Sequence, residues 1–239
     1  MVYTVLITGA SSGLGLAFLK HYASREDTHV IGLDISPFPS NLPGSNSSKI
    51  STHTVDITTE DLRRVANLLD TNGSIDLLIH SAGVRGLVPA LVQTTQDVSA
   101  AETYEVMDKA TLMRTLEINT YGTFNVIQIF LPRLAEGAKV VVMSSRMGSI
   151  ASNTTGGGYA YRASKVAVNA IVRSFAVDVR DTTFLLMHPG RVETGLVGWK
   201  EEGAFSVDEV LGDCVSVFER ADKGWSGRFV DRWGEDIPW

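Results

Sequence analysis

Tyr161 and Lys165 stand four residues apart in Tyr161-Arg162-Ala163-Ser164-Lys165. On a helix that spacing places both side chains on one face. An ammonium group beside a phenol favours the phenolate and draws its pKa toward working pH, which makes a tyrosine usable as a general acid or base. An exposed helical pair of the same types does nothing, so the pair needs company. Ser144-Ser145 supplies hydroxyls at the end of an apolar run, where a serine either bonds a substrate oxygen or caps a turn. Asn119 falls inside a helical stretch, where asparagine is disfavoured, and its amide has either a structural or a functional task there.

A second group of residues is built for anions. Thr8-Gly9-Ala10-Ser11-Ser12-Gly13-Leu14-Gly15 directly follows the first apolar run and opens a helix. Gly9 permits a sharp exit from a strand, Gly13 a close backbone approach to a pyrophosphate, and Gly15 close packing of helix on sheet. Free N–H groups and the helix dipole then face the phosphates. The spacing differs from the common G-x-G-x-x-G fingerprint, but the physics is shared. Asp34 ends the second apolar run, roughly 20 residues past the glycines, where an acid bonds the adenosine ribose hydroxyls of a dinucleotide. Its charge repels a 2′-phosphate and the neighbouring Ile35 brings no positive charge, which favours NAD over NADP; a solvated turn aspartate is the alternative.

The elements that must hold these groups alternate along the chain. Apolar, β-branched runs predict strands at 2–8, 29–34, 51–55, 75–80, 139–143, 182–188 and 227–231. Helical spacing predicts helices at 14–23, from a Thr58 or Thr59 cap to 69, and at 109–134, 159–180 and 206–220. Segment 35–50, rich in Ser, Pro and Asn, is where a crossover helix is expected but is hard to see, with a short turn as the alternative, and 84–108 is long and mixed. Strand-helix alternation calls for a parallel sheet covered on both faces, with ligands at the carboxyl edge of the strands.

Composition narrows the classes. A chain of 239 residues with 44% hydrophobic residues can bury a large core, and no shift of composition marks a second domain. A net charge of -6 leaves no electrostatic footprint for nucleic acid or an anionic membrane. Neither an apolar run of spanning length nor a leader-like stretch is present, so a cytoplasmic protein is expected. The lone cysteine, Cys214, lies in an apolar stretch and reads as a small core residue. No metal site is expected.

Taken in order, Thr8-Gly9-x-x-x-Gly13-x-Gly15, Asp56, Ala82-Gly83, Asn119, Ser145, Tyr161-x-x-x-Lys165 and Pro189-Gly190-x-x-x-Thr194 resemble the short-chain dehydrogenase/reductase family over nearly the whole chain. The stretches around Ser144–Ile150, Gly157–Lys165 and the tail from Gly227 resemble its C-factor and sniffer-like carbonyl reductases. The resemblance implies one Rossmann-type α/β domain over 1–239, a doubly wound, mostly parallel sheet of about seven strands with helices on both faces. It implies an NAD(P)-dependent oxidoreductase that interconverts a carbonyl and a secondary alcohol. Tyr161 transfers the proton, Lys165 holds the nicotinamide ribose and tunes Tyr161, Ser145 orients the carbonyl, and Asn119 anchors a relay water. The dinucleotide lies against Gly9, Ser11, Ser12, Gly13, Leu14, Gly15, Asp34, Asp56, Ile57, Ser81, Ala82, Gly83, Pro189, Gly190, Val192 and Thr194. The substrate side, 85–92 and 196–205, implies an apolar small molecule, and the helices carrying Asn119 and Tyr161 a homodimer or homotetramer. A signalling protein of low turnover and an isomerase or dehydratase are the competing readings. One departure stands out: His80-Ser81-Ala82-Gly83 replaces the family's Asn-Asn-Ala-Gly, and His80 is expected to be a satisfied core histidine.

Overall fold

A computed structural model describes residues 2–40, 42, 49–69, 74–95, 97–197, 199 and 202–239. Seven strands form one sheet in the order β3-β2-β1-β4-β5-β6-β7, and every strand pair in it is parallel. They are β1 (Tyr3–Thr8), β2 (Thr28–Asp34), β3 (Ile50–Thr54), β4 (Ile75–His80), β5 (Leu134–Met143), β6 (Thr183–His188) and β7 (Arg228–Asp231). The order reverses between β1 and β4, which opens a crevice at the carboxyl ends of those strands.

Side-chain alternation along the strands builds two cores. Val5 and Ile7 of β1, with Leu185 and Met187 of β6, face α1 (Gly13–Ala23) and α7 (Val207–Arg220). Leu6, with Val140, Val142 and Phe184, faces α2 (Asp61–Leu68), α5 (Gly122–Phe130) and α6 (Tyr159–Asp178). Burial on both faces explains why the strands read as unbroken apolar runs. Cys214 is fully buried in the first core, where desolvation pushes its thiol up to about 12. α7 starts on a reciprocal cap: the Ser206 hydroxyl accepts from Glu209 N–H and the Glu209 carboxylate accepts from Ser206 N–H.

Two expectations are corrected. The helix expected over 109–134 is divided into α4 (Lys109–Leu116), a π turn (Glu117–Tyr121), α5 and a short 3-10 turn (Leu131–Arg133). Pro132 cannot continue a helix, so the chain leaves there and Leu134 already belongs to β5. Neither Thr58 nor Thr59 caps α2 with its hydroxyl: both bond Asp56 instead, Thr58 to its carboxylate and Thr59 to its carbonyl, and the helix begins behind Glu60. The 84–108 stretch contains α3 (Pro89–Thr95) and a 3-10 turn (Ala100–Glu102). Among the described residues no helix joins β2 to β3; positions 41 and 43–48 of that loop, where a crossover helix was open, lie outside them. Among the described residues, no helix is long and apolar enough to cross a membrane.

Phe218 of α7 is 1% exposed and packs with its ring centroid 5.2 Å from that of Phe18 in α1. Phe218→Ala is expected to lower unfolding stability by about 3–5 kcal/mol in urea titrations; a loss under about 1 kcal/mol would show that this face is loosely packed.

Candidate active site

A cavity of about 570 Å³ opens along the carboxyl edge of the sheet, a ligand-sized volume. The Gly9–Gly15 turn forms one wall. Gly9 has φ +66°, and a Cβ there would lie 2.7 Å from Ala82 N, so the turn can cross the end of β4 only as glycine. A Cβ on Gly15 would fall 2.0 Å from the Gly9 carbonyl oxygen. That contact, rather than the sheet itself, is what Gly15 permits. Ser12, Gly13, Leu14 and Gly15 line the cavity at the start of α1, with their amides facing the position an anion takes at a helix N-terminus. Ser11 does not line it; its N–H donates to Asp34 Oδ2 at 2.9 Å.

Asp34 is held by that bond and by Ser36 N–H, which donates to Oδ1 at 2.8 Å. Its carboxylate is thus fixed on the cavity wall at the end of β2. Asp56, Ile57, Ser81, Ala82 and Gly83 follow along the same wall, and Pro189, Gly190, Val192 and Thr194 close the far end. Ser36, Arg114 and His188 also line the cavity. They lack a local motif and come together only through the fold.

Tyr161, Lys165 and Ser145 meet in this cavity. Lys165 is 6% exposed, its Nζ donates to the Met143 carbonyl at 2.8 Å, and desolvation lowers its pKa to about 8. Three donors on Nζ leave it hydrogens for the cavity. The Tyr161 phenol departs from the expected electrostatics. Burial raises its pKa, and the groups that oppose this are the Arg85 guanidinium and a hydrogen bond to Ser145. Ser145 is the serine that reaches the phenol, as its motif implied; Ser144 Oγ donates instead to Asn169 Oδ1 at 2.6 Å.

Asn119 sits in the π turn and does not line the cavity. Its Nδ2 donates to Val84 O and to Ser164 Oγ, both at 2.9 Å, and its Oδ1 accepts from Val84 N–H at 2.8 Å. Both amide hydrogens are engaged, so the side chain clamps the loop after β4 to α6. His80 joins the clamp from beneath. Thr123 donates its hydroxyl hydrogen to the Asn119 carbonyl, so toward His80 Nε2, 2.9 Å away, it accepts. His80 Nδ1 then accepts from the Thr8 hydroxyl at 2.8 Å, and Thr8 Oγ1 accepts from Ala82 N–H at 3.3 Å. A neutral imidazole satisfies the whole chain of bonds. Desolvation, with Lys165 nearby, lowers the His80 pKa to about 3, so His80 is the satisfied core histidine that was expected.

A second cavity of about 280 Å³ adjoins Tyr161 and Ser145. Leu196, Val197, Trp199 and Ala204 supply an apolar wall from the expected segment, but Arg85, Arg146, Arg191 and Glu193 line it too. The space is therefore of mixed polarity: Arg85 opens the expected 85–92 segment, and Arg146, Arg191 and Glu193 come from outside both expected segments. Phe205 stands outside it, under the Arg232 guanidinium at 4.0 Å.

Residues 3–203 match the family described as short chain dehydrogenase. The chain belongs to that family. It is an NAD(P)-dependent oxidoreductase of the short-chain type. The C-signal protein of Myxococcus xanthus is 38% identical over 171 residues, which are 70% of this chain and 94% of that one. The carbonyl reductase Sniffer of D. melanogaster superposes with a TM-score of 0.84 at 24% identity, covering 100% of both chains. A short-chain dehydrogenase/reductase from Burkholderia multivorans with bound NADP does so with 0.83 at 25% identity, again covering 100% of both.

The neutral histidines are expected to make the fold acid-sensitive. The pKa of His80 is lowered to about 3 and that of His188 to about 4, against an ordinary 6.5. Below pH 6.5 the unfolded chain binds protons that the folded chain refuses, so stability falls as pH drops toward those folded values, by up to about 1.4 kcal/mol per unit for each group. His80→Gln is expected to flatten the fall of the thermal midpoint between pH 6.5 and 4. An unchanged slope would mean that His80 titrates normally.

Proposed function

We propose that this enzyme reduces a carbonyl compound to a secondary alcohol, with Tyr161 as the proton donor. The observation that carries this reading is the meeting of Tyr161, Ser145 and Lys165 on one cavity wall, at the open end of the glycine turn. The glycine cradle and the fixed Asp34 fit a dinucleotide: the turn has no side chain where a pyrophosphate must approach, and the carboxylate stands where ribose hydroxyls would be read. A bound nicotinamide supplies or accepts the hydride.

The chain's own groups manage the oxygen and its proton. The Ser145 hydroxyl donates to the substrate carbonyl and sets its direction. The Tyr161 phenol passes its proton to that oxygen as negative charge develops there. Lys165 would hold the nicotinamide ribose with its remaining hydrogens, and it keeps a positive charge close to the phenol. Asn119 and His80 hold the walls in place. Burial keeps Tyr161 protonated at neutral pH, which is the form that reduction needs. Oxidation of the alcohol needs the phenolate, so it gains with rising pH.

NAD is the preferred dinucleotide in this reading. Both oxygens of Asp34 are fixed by backbone amides, and the carboxylate cannot swing away from a 2′-phosphate.

Two outcomes are expected. Tyr161→Phe lowers kcat for carbonyl reduction by about 10²–10⁴-fold while nucleotide affinity, followed by fluorescence quenching, stays within about threefold; equal rates in both proteins would end the assignment. Wild-type enzyme shows at least about tenfold higher kcat/KM with NADH than with NADPH, and Asp34→Asn narrows the gap. A wild-type preference for NADPH would remove Asp34 from cofactor selection.

A further inference from the structure

Arg85 is the second residue past Gly83, and nothing in the family motifs gives it a task. Its guanidinium carbon lies 4.7 Å from the centroid of the Tyr161 ring. Glu102 Oε1 accepts from its NH2 at 2.7 Å, and Met147 Sδ accepts from NH1. The pair is nearly out of solvent, with side chains 15% and 10% exposed. Backbone fixes both partners. A Cβ on Gly86, the next residue, would lie 2.6 Å from Thr115 Oγ1 and 3.1 Å from Ala160 Cβ, so the chain presses there against α4 and α6. The Glu102 carbonyl accepts from Gly158 N–H at 3.1 Å, at the start of α6, and Val88 N–H donates to Ala101 O at 3.0 Å. Arg85 is therefore set on the phenol by the same segments that set the phenol.

Tyr161 lies between the two cavities, and each contributes a cation. Lys165 lines the larger, with Nζ 5.7 Å from the ring centroid; Arg85 lines the smaller. The face of a phenolate is far more negative than that of a phenol, so a guanidinium over the ring stabilises the ionised form.

We propose that Arg85, anchored by Glu102, is a second cationic partner of Tyr161, a positioning residue that biases the phenol toward its ionised form from the substrate side. This rests on Tyr161 being the acid-base group. The charged or titratable groups set around Tyr161 are Lys165 on its own helix, Arg85 from the loop after β4 and Glu102 from the 3-10 turn, with His188, Arg146, Arg191 and Glu193 lining the smaller cavity and Asp34, Asp56, Arg114 and Glu117 farther along the larger. His188 is neutral at working pH, and Arg146 stands 3.7 Å from Asp231. Arg85 and Glu102 therefore act on the phenol with opposite sign: the first favours the phenolate and the second opposes it.

The opposition of signs gives a test that loss of packing does not imitate. The Tyr161 ionisation is read in two ways: as the pH profile of kcat/KM for alcohol oxidation, and as the tyrosinate absorbance step that distinguishes nucleotide-free enzyme from its Tyr161→Phe variant. Arg85→Met is expected to move both upward by about one pH unit, and Arg85→Lys to restore part of that. Glu102→Gln keeps an oxygen for Arg85 while removing the negative charge, and is expected to move both downward. Absorbance steps that stay put, or that shift in the same direction in Arg85→Met and Glu102→Gln, overturn the proposal. If Arg85→Met does not fold, the downward shift in Glu102→Gln with no shift in Arg85→Lys beyond half a unit still supports it, and an upward shift in Glu102→Gln overturns it. An enzyme inert toward every alcohol tried, yet with the opposed absorbance shifts, would fail the functional reading and leave this one standing.

Discussion

Lys165 carries an ammonium into a place where water barely reaches, beside a phenol that is equally enclosed. Removing a charge from water is costly unless something replaces the lost hydration. The Met143 carbonyl at the end of β5 does part of this, and burial still draws the ammonium down to about 8. Much of the architecture follows from this requirement. A parallel sheet brings the ends of β1, β4, β5 and β6 to one edge. α6 crosses that edge with Tyr161 and Lys165 one turn apart. The glycine turn lines the same cavity.

Precision at the edge comes from neutral hydrogen bonds beneath it. The Asn119 amide bonds both backbone groups of Val84, and His80 links Thr8 to Thr123 across the sheet ends. Every hydrogen in that chain has one sensible place, so the strand ends, the π turn and the loop after β4 are fixed relative to one another. Just past the π turn, Gly122 lets α5 press against the Asp56-Ile57 wall: a Cβ there would sit 2.7 Å from Ile57 Cδ1. A histidine in place of the family's asparagine does this work while remaining uncharged.

The parts legible in the sequence were those encoded locally. Gly9 to Gly15 and Tyr161 to Lys165 have meaning at fixed short spacing, and buried strands announce themselves as apolar runs. Asp34 was legible because it ends such a run. Other parts were hidden for physical reasons. Helical periodicity continues through 109–130, so the π turn leaves no trace in the sequence, whereas Pro132 marks the end of the helix before 134. Arg85 and Glu102 lie 17 residues apart in a stretch without periodicity, and only the fold of 84–108 brings them together. The expectation that a nearby ammonium draws the Tyr161 pKa down rests on spacing and leaves out burial, which acts in the opposite sense. The substrate wall looked apolar because 196–205 was read without Arg146 and Arg191, which come from other segments.

The most direct test of the account is a crystal structure of the enzyme with NAD and a substrate ketone or its alcohol. The account predicts pyrophosphate oxygens on the amides of Gly13 to Gly15, the adenosine ribose on Asp34, and the substrate oxygen within hydrogen-bond reach of both Tyr161 Oη and Ser145 Oγ. A dinucleotide bound away from the glycine turn, or a substrate oxygen that meets neither hydroxyl, would contradict it.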